Sequence, residues 1–294
     1  MDAATEHVRA LARRVVEAAL ELGPVRAALL AGSGARGDAD FFSDVDLLLY
    51  VDEPPPEDRL ELLREALGGT NLVPIAPPHL VQFDVGGVAV QVGYTTVAEL
   101  EEQLDQLLVR LEDVHGPMQK LLSGLVEGRP LYGEELLARW RERVAAYPDD
   151  LRRAGIEHHW KFFPLWWYVE PLSARDAELW RLDMLLEAAF NLLGVLAALN
   201  RVYFARFELK RLRALVAKFE HAPPDLAHRL ERLVQLPATE AAAELGSLVV
   251  ETRDLVAREL PALELPLRPP PGTARSPGRS RRVPPGERTD PQCV

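Results

Sequence analysis

The chain has 294 residues, 48% hydrophobic and 27% charged, a balance that excludes wholesale disorder and provides for one large or two modest domains. Its formal net charge of -11 opposes nucleic-acid backbones and anionic membranes, so a polynucleotide substrate is disfavoured and no membrane association is expected. A single cysteine, Cys293, excludes an internal disulfide and points to a reducing, cytoplasmic setting, while nothing in the composition fixes an oligomeric state.

The first residues lack the positive patch and apolar run of a secretory signal. Val8, Leu11, Val15, Ala19 and Leu22 recur at helical spacing, which predicts a helix over 5–22 stopped by Gly23-Pro24. Val25 to Ala31 reads as a short strand and Val45 to Val51 as a second, ended by Asp52 and the run Pro54-Pro55-Pro56. Leu60 to Leu67 reads as helical. The runs His79 to Val85 and Val88 to Tyr94 flank Gly86-Gly87, the signature of a hairpin with a two-residue turn. From Val97 onward, long Leu, Ala, Glu and Arg stretches with helical periodicity are broken at Gly116-Pro117, Gly128 to Pro130, Pro148, Pro171 and Pro223-Pro224. The most apolar of them, Phe190 to Leu199, is interrupted by Asn191 and flanked by Glu187 and Arg201, short of the roughly 20 residues of a membrane span, and reads as a buried helix. Beyond Leu265, Pro, Arg, Ser and Gly dominate and the periodicity ends. The expected fold class is therefore α+β, with a mixed-sheet domain over 1–114, a helical domain over 115–266 and a disordered Pro/Arg-rich tail over 267–294.

Chemistry concentrates between the first two strands. Gly32-Ser33-Gly34-Ala35-Arg36-Gly37 follows a strand, and its glycines let backbone amides approach an anion closely, which makes phosphate the expected ligand. Asp44 and Asp46 are two apart at the start of the next strand and project from one face, while Val45, Leu47 and Leu49 point the other way. Two carboxylates on one spot repel unless a hard cation lies between them, and Mg²⁺ typically takes one or two carboxylates plus substrate phosphates. The same six residues also spell Gly-x-Gly-x-x-Gly with Asp52 twenty residues after Gly32, as in a dinucleotide-binding fingerprint. Only Asp38 to Ser43 separates Gly37 from Asp44, too little for the crossover helix that motif opens.

Gly32-Ser33, ten intervening residues and Asp44-Val45-Asp46 resemble the signature of the DNA polymerase beta-type nucleotidyltransferase superfamily, over roughly residues 25 to 95. A compact catalytic domain followed by helices resembles, within it, the bacterial antibiotic-modifying nucleotidyltransferases and their uncharacterised relatives. The resemblance implies a nucleoside triphosphate held at Gly32 and Ser33 and one or two Mg²⁺ ions at Asp44 and Asp46. Transfer of a nucleoside monophosphate to a hydroxyl acceptor, with release of pyrophosphate, would follow. Charge favours a small-molecule acceptor, expected between the α/β domain and the helices.

Family members add a third acid on a later strand, where Gly87-Val88-Ala89-Val90-Gln91-Val92 places Gln91 instead. A glutamine can donate hydrogen bonds but is neither a general base nor a strong metal ligand. If Gly86-Gly87 is the turn, Asp84 and Gln91 share a face, so Asp84 is expected to substitute as the third catalytic carboxylate. Arg36 is a candidate triphosphate contact through its planar fork. Lys210, in a basic cluster after the most apolar helix, and His159, in the aromatic-rich run His158 to Trp167, are candidate acceptor or phosphate contacts. Two competing readings remain: a nucleotide-binding sensor or toxin partner that lost chemistry through Gln91, and a ribonuclease using Arg153 and His158.

Overall fold

The computed structural model describes residues 3–56, 58–76, 80–112, 114–116, 118–162 and 175–265. They divide into two units, one comprising the chain through Gly155 with Arg201–Glu208, the other Ile156–Asn200 with the chain from Leu209.

The first unit is built on a six-stranded sheet of β1 (Ala27–Leu30), β2 (Val45–Val51), β3 (Thr70–Ala76), β4 (Leu80–Val85), β5 (Val88–Thr96) and β6 (Arg129–Tyr132), in the order β3-β4-β5-β2-β1-β6. Strands β2 and β5 pair in parallel and all other neighbours pair antiparallel. An antiparallel β1–β2 pair cannot be the βαβ unit of a dinucleotide-binding fold, which removes that reading. Helix α1 (Ala3–Leu22) covers one face because Val8, Leu11, Val15 and Ala19 form a single stripe, which meets Leu30, Leu47, Leu49, Val90 and Val92 in one core. A second core on the opposite face joins Leu29 and Tyr50 to Leu100, Leu104, Leu122, Leu137 and Trp140. Those helical residues come from α4 (Val97–Leu108), α5 (Met118–Glu127) and α6 (Glu134–Ala145), the short helices α2 (Gly32–Arg36) and α3 (Arg59–Ala66) preceding them in the chain. Strand β1, paired on both sides by β2 and β6 and covered on both faces, is therefore buried at all four residues. Helix α4 starts on a capping box, with the Thr96 side chain accepting from Glu99 N and the Glu99 side chain accepting from Thr96 N.

Three features differ from the sequence expectation. The first unit extends beyond the expected boundary at residue 114, because β6 pairs with β1 and α5 and α6 pack on the sheet. Strands β3 and β6, which periodicity did not indicate, are the two edges, and Pro74 and Pro130 interrupt their patterns at positions an edge tolerates. The apolar run ending at Leu199 belongs to a 22-residue helix, α8 (Glu178–Leu199), long and apolar enough to cross a membrane on those two criteria.

Helix α8 follows α7 (Asp149–His159) in the described chain, and 67% of its most apolar window is buried within the protein, as befits the core helix of the second unit. It packs there with α11 (Ala238–Glu259), while α9 (Leu212–Val216) and α10 (Leu226–Leu233) complete the described helices of that unit. The architecture is α+β, a mixed sheet followed by C-terminal helices. The tail from 267, with Cys293, and the tryptophans Trp166 and Trp167 lie outside the described residues.

Candidate active site

Alternation along β2 decides where the carboxylates point. Leu47 and Leu49 join the core beneath α1, so Asp46, like Leu48 and Tyr50, projects from the face that carries α4, α5 and α6. Parallel pairing sets Asp46 directly beside Gln91 of β5. Gln91 in turn donates from Nε2 to Asp44 Oδ2 at 2.8 Å and lies 3.4 Å from Gln82 Oε1. Asp44, Asp46 and Gln91 are thus brought together where β2 begins.

The segment after β1 closes into the single helical turn α2 rather than an open loop. Gly32 has φ +63°, and a Cβ on it would stand 2.0 Å from Asp46 Oδ2. The glycine is needed twice, for a left-handed backbone and for the space the carboxylate occupies. The Ala31 amide donates to the Asp46 carbonyl at 2.8 Å, tying the turn to the strand that bears the acids. Gly34 is buried against Val8 of α1, and Arg9 of that helix donates to the carbonyls of Gly34 at 2.7 Å and Ala35 at 2.9 Å. Arg9 therefore fastens the turn from behind, a role its place within an ordinary amphipathic helix did not announce. Ser33 lies on the turn and is half-buried.

A cavity of about 320 Å³ opens over this arrangement, and every residue lining it belongs to the first unit. Gly32, Asp46 and Gln91 form part of its wall, and Arg36 and Lys120 supply cations. Arg36 is ion-paired at 3.5 Å to Asp38 and at 3.6 Å to Glu127, itself a wall residue. The Lys120 Nζ stands 4.2 Å from the centre of the Phe207 ring. Lys120, Glu127 and Glu208 were invisible to sequence reasoning because nothing in the order of residues indicates that α5 and residues 201–208 fold over the β2–β5 pair.

The other candidates fall elsewhere. Asp84 does share a face with Gln82 and Gln91, and the hairpin register agrees with the Gly86-Gly87 turn: Val85 with Val88, Asp84 with Ala89, Gln82 with Gln91. Strand β5, however, stands between β4 and β2, which puts the Asp84 backbone about 10 Å from β2. Its carboxylate accepts instead from Asn71 Nδ2 at 2.8 Å, on the β3 side, so the structure does not deliver it to Asp44 and Asp46. His159 is buried at 6% exposure in the second unit, with Nδ1 3.3 Å from Asn191 Oδ1 and its ring against Gly194 and Phe190. It is a core histidine rather than an exposed contact. Lys210 is exposed on a 3-10 turn (Arg206–Arg211) and belongs to the second unit. Arg153 and His158 are five apart on α7, hence about 140° around it, and do not face one substrate. Among the described residues no three His, Cys, Asp or Glu side chains gather as a metal site.

A family model described as a nucleotidyltransferase domain matches residues 12–131, and one described as a domain of unknown function, DUF4037, matches residues 114–208. No curated protein matches the chain. Among solved structures, a nucleotidyltransferase-like protein from Exiguobacterium sibiricum is similar at 12% identity and a TM-score of 0.42, over 85% of this chain and 76% of that one. The first match runs from α1 to β6 and so takes in the whole sheet together with the turn, the acids and Gln91. Over residues 12–131, which hold the sheet, the turn and the acid pair, the chain carries a nucleotidyltransferase domain.

Proposed function

We propose that this nucleotidyltransferase moves a nucleoside monophosphate from a nucleoside triphosphate to the hydroxyl of a small molecule, in a Mg²⁺-dependent reaction centred on Asp44 and Asp46. The observation that carries this reading is the packing of Gly32 against Asp46, which holds a glycine turn and a carboxylate within one wall of the cavity. Gly32 and Ser33 offer backbone amides and a hydroxyl to phosphate oxygens, and Arg36 and Lys120 offer charge.

The wall also contains Asp46, Glu127 and Glu208, so a bare triphosphate would meet like charge there. Two neighbouring carboxylates suit a cation that completes its shell with water and phosphate oxygens, and Asp44 and Asp46 are the residues that would hold it. When bound, Mg²⁺ supplies charge neutralisation at the phosphates and polarises the oxygens attached to it. The acceptor oxygen forms a bond to the α-phosphorus, the bond from that phosphorus to the bridging oxygen breaks, and pyrophosphate departs with its electron pair. The hydroxyl proton passes to water. Gln91 fixes Asp44 through its amide donor and takes no proton. A small acceptor is favoured over nucleic acid by the net charge of -11, and a cytoplasmic setting suits a triphosphate substrate.

Turnover tests the proposal. The full chain is incubated with Mg²⁺, labelled ATP or GTP and a panel of small hydroxyl compounds, and pyrophosphate is measured. Asp44→Asn and Asp46→Asn are expected to lose at least about a hundredfold in rate, the scale of several kcal/mol of lost charge stabilisation. Equal rates in wild type and both variants would refute it.

A further inference from the structure

Gln91 Nε2 faces two oxygens, Asp44 Oδ2 at 2.8 Å and Gln82 Oε1 at 3.4 Å. Both are acceptors, so the amide must present its NH₂ group to them; turned over, its own carbonyl oxygen would confront a carboxylate and a second carbonyl. The orientation of Gln91 is therefore set by its neighbours. An amide nitrogen has no lone pair to give a hard cation, and the carbonyl oxygen, the only ligand the side chain has, is turned from Asp44 Oδ2. The nitrogen also takes one lone-pair direction of Asp44 Oδ2, which leaves that oxygen's other lone pair and Oδ1 for a cation but adds no ligand from Gln91 itself.

No other acid makes good the loss. Asp84 is engaged by Asn71, and among the described residues no third carboxylate, histidine or cysteine joins Asp44 and Asp46. The pair supplies two carboxylates, one fewer than a site completed by a third acid. Building on the nucleotide reading above, we propose that this site holds a single divalent cation, shared between the Asp44/Asp46 pair and the triphosphate, and that Gln91 is a positioning residue standing where a second cation would otherwise be held.

Mn²⁺ serves as the probe. It is added to the full-length protein carrying one equivalent of a non-hydrolysable α,β-methylene nucleoside triphosphate, and bound ions are counted by electron paramagnetic resonance, which also reports coupling between neighbouring Mn²⁺ ions. The wild type is expected to bind one Mn²⁺ per chain without coupling. Gln91→Glu, isosteric and one charge more negative, is expected to bind two with Mn–Mn coupling, whereas Gln91→Leu stays at one. Two coupled ions in the wild type or in Gln91→Leu, or one ion in Gln91→Glu, would overturn the single-cation proposal while leaving the nucleotide reading intact. A wild type that retains neither Mn²⁺ nor the analogue would overturn both.

Discussion

Gly32 shows how tightly one position is specified. Its φ of +63° costs any L side chain roughly 1 kcal/mol or more, and a methyl group there would collide with the Asp46 carboxylate. Gly32→Ala is expected to destabilise the domain by about 1–2 kcal/mol in chemical denaturation and to weaken nucleotide binding at least about tenfold, because the carboxylate must move to admit the methyl. The glycine, the acid pair and the anomalous Gln91 were all legible in the sequence, since the turn requirement and the alternation of a strand are local properties. Asp84 was misjudged for the opposite reason. Its shared face with Gln91 is local, but its separation from Asp46 depends on β5 lying between β4 and β2, and on Asn71 arriving from β3.

Among the elements, the β4–β5 hairpin was legible to the residue because Gly86 and Gly87, at φ +59° and +84°, demand the turn that fixes its register. The edge strands β3 and β6 were not, because their prolines and irregular pairing leave little alternation to detect. In the second unit, α8 accepts the His159 ring against Gly194, where an added Cβ would lie 2.3 Å from the ring. Gly194→Ala is expected to cost about 1–3 kcal/mol by overpacking, measured as a lowered thermal midpoint, with transferase activity measured separately. Helices α10 and α11 are linked by Arg229, which donates to both oxygens of Glu251 at 2.8 Å and also bonds Glu244. The Arg229 hydrogen bonds, followed by one from Ser247 and the charge attraction of Arg229, hold the Glu251 carboxyl below its ordinary value of 4.5 against the opposing effect of burial. A carboxyl depressed on folding stabilises the fold above its ordinary value, and that stabilisation disappears as pH falls through the lowered one. Arg229→Met is therefore expected to be about 1 kcal/mol less stable than wild type at pH 7, with the difference shrinking in unfolding curves recorded below pH 4. A difference that grew on acidification would contradict this assignment.

At the scale of the molecule, the spacing of glycine and aspartate pointed to the nucleotidyltransferase domain that residues 12–131 match, and neither that spacing nor composition and charge reached the acceptor. The switch from mixed sheet to helices was visible as a change of period, but its position was placed too early, since a lone four-residue strand can return to a sheet after a run of helices without altering that period. The cavity wall brings together residues 31 to 208, and only its Gly32, Arg36, Asp46 and Gln91 could be nominated from local spacing. The central claim, that the Asp44/Asp46 pair joins a triphosphate to this chain through a divalent cation, is tested most directly by calorimetric titration of a non-hydrolysable nucleoside triphosphate into the full-length protein. Binding is expected in Mg²⁺, abolished by chelation and weakened at least about tenfold, or 1.4 kcal/mol, in Asp46→Asn. Equal affinity with and without the metal, or in the Asn variant, would contradict the account.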